Sequence, residues 1–268
     1  MESFSIGKTL SRTFGLITAT LPSVGLFMLI VQIVNAAIQF VSQRMMMGSL
    51  TAAQAGGDAM AALAVFTSFG YWSMLAGSLL IGSFSFAGSL AGFLNASDGR
   101  AVSLGDCAAA GASKVLPVLG LTLLWYLGVG LGWILFVIPG LILMTMWSVA
   151  MPALVGEDLG VFASFGRSRA LTKGSRMMIF VTLLVVLVLF YAVFFGLAGM
   201  LTGTGMITGA SMMGLAAAAR GDYWFLLVSI PSGWIFGMLT SALLASIYIE
   251  TVTIREGGTE GSLEEVFS

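Results

Sequence analysis

Five stretches of this chain run for twenty residues or more without a charge, and that decides which solvent it folds in. The uncharged windows are Leu21–Val41, Ala59–Asn95, Val115–Val155, Met177–Ala219 and Tyr223–Ile249. A helix needs about 20 predominantly apolar residues to cross the hydrocarbon core of a bilayer, and every window supplies them. The rest of the chain agrees: 58% of residues are apolar and 9% charged, where a soluble domain carries about 25% charged residues. The windows predict an all-α membrane protein, a single polytopic domain over residues 1–268.

Several kinds of chemistry are excluded at the same stage. The sequence has no His, which removes imidazole acid–base catalysis and His-ligated metal sites. Its one Cys, Cys107, can form neither an intrachain disulfide nor a thiolate cage. Net charge is −1 with no run of Lys or Arg, so no nucleic acid is expected as a partner. No convergent acid–base pair is visible, and the expectation is a non-enzymatic protein with no cofactor and no metal.

Charge placement sets the topology. Val115–Val155 is interrupted by Pro139-Gly140, a missing N–H followed by a flexible residue, and reads as a helical hairpin turning near Val137–Gly140. Leu201–Ala219 is rich in Gly, Thr, Ser and Ala and reads as an outside loop. If Ala59–Asn95 is one span and the N-terminus is cytoplasmic, the inner side holds Lys8, Arg12, Arg100, Lys114, Arg167, Arg169, Lys173, Arg176 and Arg255. The outer side then holds only Arg44 and Arg220. If that window is two spans, Arg100 to Arg176 move to the opposite side from Lys8 and Arg12. Lys and Arg favour cytoplasmic loops, which selects six spans with both termini inside, at about 21–42, 66–95, 115–136, 139–156, 177–200 and 223–249. The stretch after Lys8 and Arg12 is longer than the about 7–15 residues of a secretory h-region, so it is expected to remain as the first span.

An internal repeat is visible in Leu21-Pro22-Ser23-Val24-Gly25-Leu26 and Leu116-Pro117-Val118-Leu119-Gly120-Leu121. Upstream of these lie Ser5-Ile6-Gly7 and Ser103-Leu104-Gly105, and Ser164-Phe165-Gly166 precedes the fifth span. Ser68-Phe69-Gly70 shares the tripeptide inside the second span. Residues 4–18, 103–114 and 159–173 have amphipathic spacing and are expected to lie in the membrane plane. The chain then reads as three units, each an interfacial helix followed by a transmembrane hairpin.

Three groups of residues are candidates for function. Gln32, Asn35, Gln39 and Gln43 form one polar stripe on the first span. Amides in hydrocarbon need partners, so the stripe is either interhelical glue or the wall of a polar pathway. Ser78, Gly82, Ser85, Ser89 and Gly92 on the second span, with Gly233 and Gly237 on the sixth, are small residues at helical spacing that let backbones approach. Glu157, Arg167, Arg169, Lys173 and Arg176 surround the segment before the fifth span. They suit either the dipole of a short helix or contact with lipid headgroups at the inner surface.

Ile138-Pro139-Gly140, then Pro152, Glu157 and Ser168-Arg169-Ala170-Leu171-Thr172-Lys173-Gly174, form a pattern with a looser echo at Tyr248–Gly257. It resembles the YciC-like bacterial membrane proteins and the membrane domain attached to some glycerophosphodiester phosphodiesterases. The match covers about residues 130–180. The resemblance implies a polytopic inner-membrane bundle and singles out Glu157 and the Ser168–Gly174 run. It brings no phosphodiesterase activity, because that domain's acidic and His residues are absent. The expected function is a scaffold or accessory factor in envelope or membrane-lipid homeostasis. Its partners would be membrane lipids, with a second copy or another membrane protein as a further partner. The alternative is a facilitator for a small apolar or lipid-like solute.

Overall fold

A computed structural model describes residues 4–56, 67–202 and 223–257 of the protein. Among the described residues every regular element is helical. Helix α1 (Ile6–Thr20) passes through a π-helical turn (Leu21–Gly25) into α2 (Leu26–Gly56). Next come α3 (Phe69–Ser97), α4 (Leu104–Leu135), α5 (Val137–Met146), α6 (Ala150–Gly156), α7 (Val161–Leu171), α8 (Arg176–Thr202) and α9 (Tyr223–Val252), closed by a second π-helical turn, Thr253–Gly257.

Five helices are each long and apolar enough to cross a bilayer: Ile6–Met46, Phe69–Ser97, Leu104–Leu135, Val137–Gly156 and Ser229–Gly257. Val161–Leu171 and Arg176–Ala192, bent by 103° at their break, qualify together as a sixth. Only helices and closed barrels satisfy every backbone group in hydrocarbon. The chain is an all-α, multi-pass membrane bundle. The expected outer loop over 201–219 lies outside the described residues beyond Thr202, as does the part of the second window before Thr67.

The local signals differ from expectation in four places. The turn of the hairpin is not Pro139-Gly140 but a single extended residue, Phe136 (φ −163°, ψ 149°), between α4 and α5. Pro139 is the third residue of α5, in the first turn, where a helical N–H has no intrahelical partner to lose. Gly140 serves close approach instead: a Cβ on Gly132 would lie 3.0 Å from the Gly140 Cα. Second, residues 104–135 are one uninterrupted helix, so the segment 103–114 expected in the membrane plane forms the first turns of α4. Likewise, residues 4–18 run through the Leu21–Gly25 turn into the first span rather than forming a separate surface helix. Only the third segment meets its span at a sharp angle.

Third, Ser68 is not inside the second span but caps it, accepting from Tyr71 N at 3.2 Å. Ser5 caps α1 in the same way, and Ser103 forms a capping box with Asp106. Ser164 lies inside α7 and bonds back to the Gly160 carbonyl, so the shared tripeptide is a helix start in three places and not in the fourth. Fourth, the matched hexapeptides differ in form. Leu21–Gly25 is a π-turn with Pro22 near its start, whereas Pro117 sits within α4. The carbonyl of Gly25 accepts a hydrogen bond from the Trp234 indole at 2.8 Å.

The core gathers toward the end of the bundle that holds most of the charges. Val24, Phe27, Leu90, Phe93, Cys107, Val118, Leu121, Leu154 and Ala242 form its centre. A second cluster joins Phe4, Val149, Leu171, Ile179, Val186, Leu243 and Ile247. The tightest crossing is between α3 and α4, where a Cβ on Gly88 would lie 2.5 Å from the Cys107 carbonyl and one on Gly111 2.8 Å from the Phe84 carbonyl. Backbone cannot step aside as a side chain can. Gly88→Ala is therefore expected to destabilise the protein by about 1–3 kcal/mol. Gly82→Ala, with open space around it, should leave thermal unfolding in detergent unchanged.

Candidate functional site

The charged end of the bundle is built around Glu157 and Arg167. Glu157 caps α6, and the chain then turns through Asp158, whose φ of 55° is tolerated by an Asp side chain. Arg167 lies two turns into α7 and its Nε donates to both Glu157 oxygens, at 2.8 and 2.9 Å. The Tyr248 hydroxyl, from α9, donates to Glu157 Oε1 at 2.6 Å. Arg167 Nη2 reaches Glu256 in the closing π-turn. One guanidinium thus joins a carboxylate from the middle of the sequence to one near its C-terminal end. Burial works against its charge, and the bonds from Glu157 and Glu256 outweigh burial and hold Arg167 above its usual range.

Lys114 makes the next link. Its Nζ donates to the Val155 carbonyl at 3.0 Å and to Asp158 Oδ1 at 2.8 Å, tying α4 to the α6–α7 turn. That bond and the ammonium charge hold the Asp158 carboxyl below its ordinary value. A depressed carboxyl pKa contributes to folding above the unfolded value and loses that contribution only as pH falls through the lowered one. Arg12 on α1 meets Glu250 on α9 at 3.5 Å, and Glu250 is 2% exposed. Neither Arg12 Nη1 nor Glu250 Oε2 makes a hydrogen bond. Ser168 and Thr172 both donate to the Met146 carbonyl, which lies next to the break between α5 and α6.

Each candidate residue from the sequence has a definite place. In the polar stripe, Gln32 Nε2 donates to the Ser229 carbonyl at 3.1 Å and its amide fills the space left by Gly233. Gln39 is exposed, which divides the stripe. Asn35 Oδ1 and Gln43 Oε1 are shielded and carry no hydrogen bond. Of the small residues on α3, Ser89 is buried and bonds the Ser241 hydroxyl at 3.0 Å, and Gly92 lies against Val24 and Cys107. Ser78 and Ser85 are half-buried, and Gly82 has nothing near it. Gly237 faces the Met28 methyl. Of the five expected small residues on α3, close packing therefore falls on Ser89 and Gly92, toward its Ser97 end, and Gly88 and Gly111 approach backbone more closely than any of them.

The five residues grouped before the fifth span separate into two sets. Glu157 and Arg167 bind each other, and Tyr248, Glu256, Arg12 and Glu250 complete that end without having been singled out. The echo at Tyr248–Gly257 was the one signal pointing to Tyr248 and Glu256. Arg169 and Lys173 are exposed and Arg176 is half-buried. None of the three has a carboxylate partner among the described residues. Among those residues no group of three or more His, Cys, Asp or Glu could hold a metal ion.

Fold and site together define a multi-pass helical membrane protein whose charges collect at one end of the bundle. Comparison with family models, with curated proteins and with solved structures finds no match to this chain.

Glu157→Gln removes the anion that Arg167 and Tyr248 share. At this partial exposure the loss is on the order of 2 kcal/mol, between the values for exposed and buried pairs. Tyr248→Phe removes one hydrogen bond and should cost about 1 kcal/mol. The two changes combined should cost less than their sum, measured as a double-mutant cycle in thermal unfolding.

Proposed function

We propose that this protein is a non-enzymatic scaffold or accessory factor of a bacterial cytoplasmic membrane, acting in envelope or membrane-lipid homeostasis, with both termini inside. The observation that carries this reading is how the polar groups are used. Gln32 joins α2 to the backbone of α9, Ser89 joins α3 to Ser241, and Glu157, Arg167, Tyr248 and Glu256 close the charged end on itself. These groups hold helices together. The orientation is supported by the cations: Lys8, Arg12, Arg100, Lys114, Arg167, Arg169, Lys173, Arg176 and Arg255 lie toward the same end, leaving Arg44 at the other, and Lys and Arg favour the cytoplasmic side. Within this chain, the Glu157 and Tyr248 positions of the YciC-like pattern hydrogen-bond to each other.

A second reading, passage of a small apolar or lipid-like solute, draws on Asn35 Oδ1 and Gln43 Oε1, which are shielded and unpaired. Genetics separates the two. Removal of the protein from its host should alter envelope lipid composition, and Asn35→Leu with Gln43→Leu should restore it as fully as the unaltered protein. If that variant folds but restores nothing, solute passage replaces the scaffold. The orientation is checked with single cysteines in a Cys107→Ser background. Ser97→Cys should react with an impermeant maleimide only in inverted vesicles, and Arg44→Cys only in right-side-out cells.

A further inference from the structure

We infer that the bend between α7 and α8 binds the phosphate of an anionic lipid headgroup. Charge accounting at this end of the bundle leads there. Every described acid is already engaged: Asp98 with Arg100, Asp106 with Ser103, Asp158 with Lys114, Glu157 and Glu256 with Arg167, Glu250 with Arg12. Arg169, Lys173, Arg176 and Arg255 are left without a carboxylate among the described residues.

Three of these four cations belong to or reach one backbone turn. Gly174 has a left-handed backbone, φ 91°, and turns the chain from α7 into α8. Lys173 precedes it and Arg176 follows by two residues. Arg255, arriving from the far end of the sequence, brings Nη2 to 3.4 Å from the position a Gly174 Cβ would occupy. Arg176 Nε is shielded from solvent yet hydrogen-bonds to nothing, an unmet donor two residues from the turn that Arg255 reaches. An acceptor oxygen with negative charge satisfies all three, and guanidinium donors suit phosphate. The N-terminus of α8 begins at Arg176 and adds favourable potential.

Geometry favours a lipid as the carrier of that phosphate. The axis of α7 is bent 103° from that of α8, so with α8 crossing the bilayer α7 lies along the surface. Phe162 is 80% exposed on α7 and Met177 73% exposed at the start of α8. An exposed apolar side chain therefore stands at each end of the segment that carries Arg169, Lys173 and Arg176, as in helices that lie on anionic membranes. The inner leaflet follows from the orientation proposed above, on which this inference rests.

The full chain, purified in neutral detergent and exchanged into equal amounts of phosphatidylglycerol and phosphatidylcholine, should retain phosphatidylglycerol selectively when bound lipid is counted by native mass spectrometry. Each cation near an anionic surface contributes on the order of fivefold. Lys173→Gln, Arg176→Gln and Arg255→Gln together should therefore reduce that selectivity about a hundredfold, while Arg100→Gln leaves it intact. If the triple variant does not fold, Arg255→Gln alone should lose about fivefold. Equal selectivity in the variants overturns the inference. So does displacement by millimolar inorganic phosphate, which makes the ligand a free anion. Selectivity that arises only after residues 258–268 are removed overturns it as well, because Glu260, Glu264 and Glu265 would then be the resident anions. Lipid retention in detergent does not depend on orientation or cellular role, so this inference and the scaffold reading fail separately.

Discussion

In hydrocarbon an apolar side chain gains little by leaving lipid for protein, so helices associate through close backbone contact and interhelical hydrogen bonds. The rest of this bundle depends on that constraint. Gly88 and Gly111 bring α3 and α4 together at carbonyl distance. The Ser89–Ser241 and Gln32–Ser229 hydrogen bonds attach α9 to the same unit. Trp234 then donates to the carbonyl of Gly25, the last residue of the Leu21–Gly25 turn.

Charge takes over where these contacts end. Arg167 joins the α6–α7 turn to the end of α9, and Tyr248 strengthens the same carboxylate. Lys114 ties α4 into the turn at Asp158, and Arg12 brings α1 to Glu250. These links gather at one end of the bundle. The arrangement places the densest part of the core beneath them.

The sequence disclosed what depends on long uniform runs and hid what depends on single partners. The spans were legible because crossing hydrocarbon demands length and lack of charge, and the windows around α2, α3, α4 and α9 meet both demands. The hairpin turn was misplaced because Pro139 has a second favourable position, the first turn of a helix, and only the neighbouring conformation of Phe136 distinguishes it. Gly82 and Gly88 are equally small, and the sequence cannot say which one faces Gly111's helix. Arg12–Glu250 spans most of the chain and Glu157–Tyr248 about a third of it, so no local pattern announces them. The repeat was legible as similarity but not as shape: related segments form a π-turn, a straight helix and a bend of 103°.

The connection between α4 and α5 has a bearing on how the chain enters its membrane. Trp133, Ile134, Leu135, Phe136, Val137 and Ile138 are exposed and none carries a charge. The Phe136 amide still reaches the Gly132 carbonyl at 3.0 Å. During biogenesis this hairpin has no hydrophilic loop to drag across the lipid, so both arms can partition together as one unit.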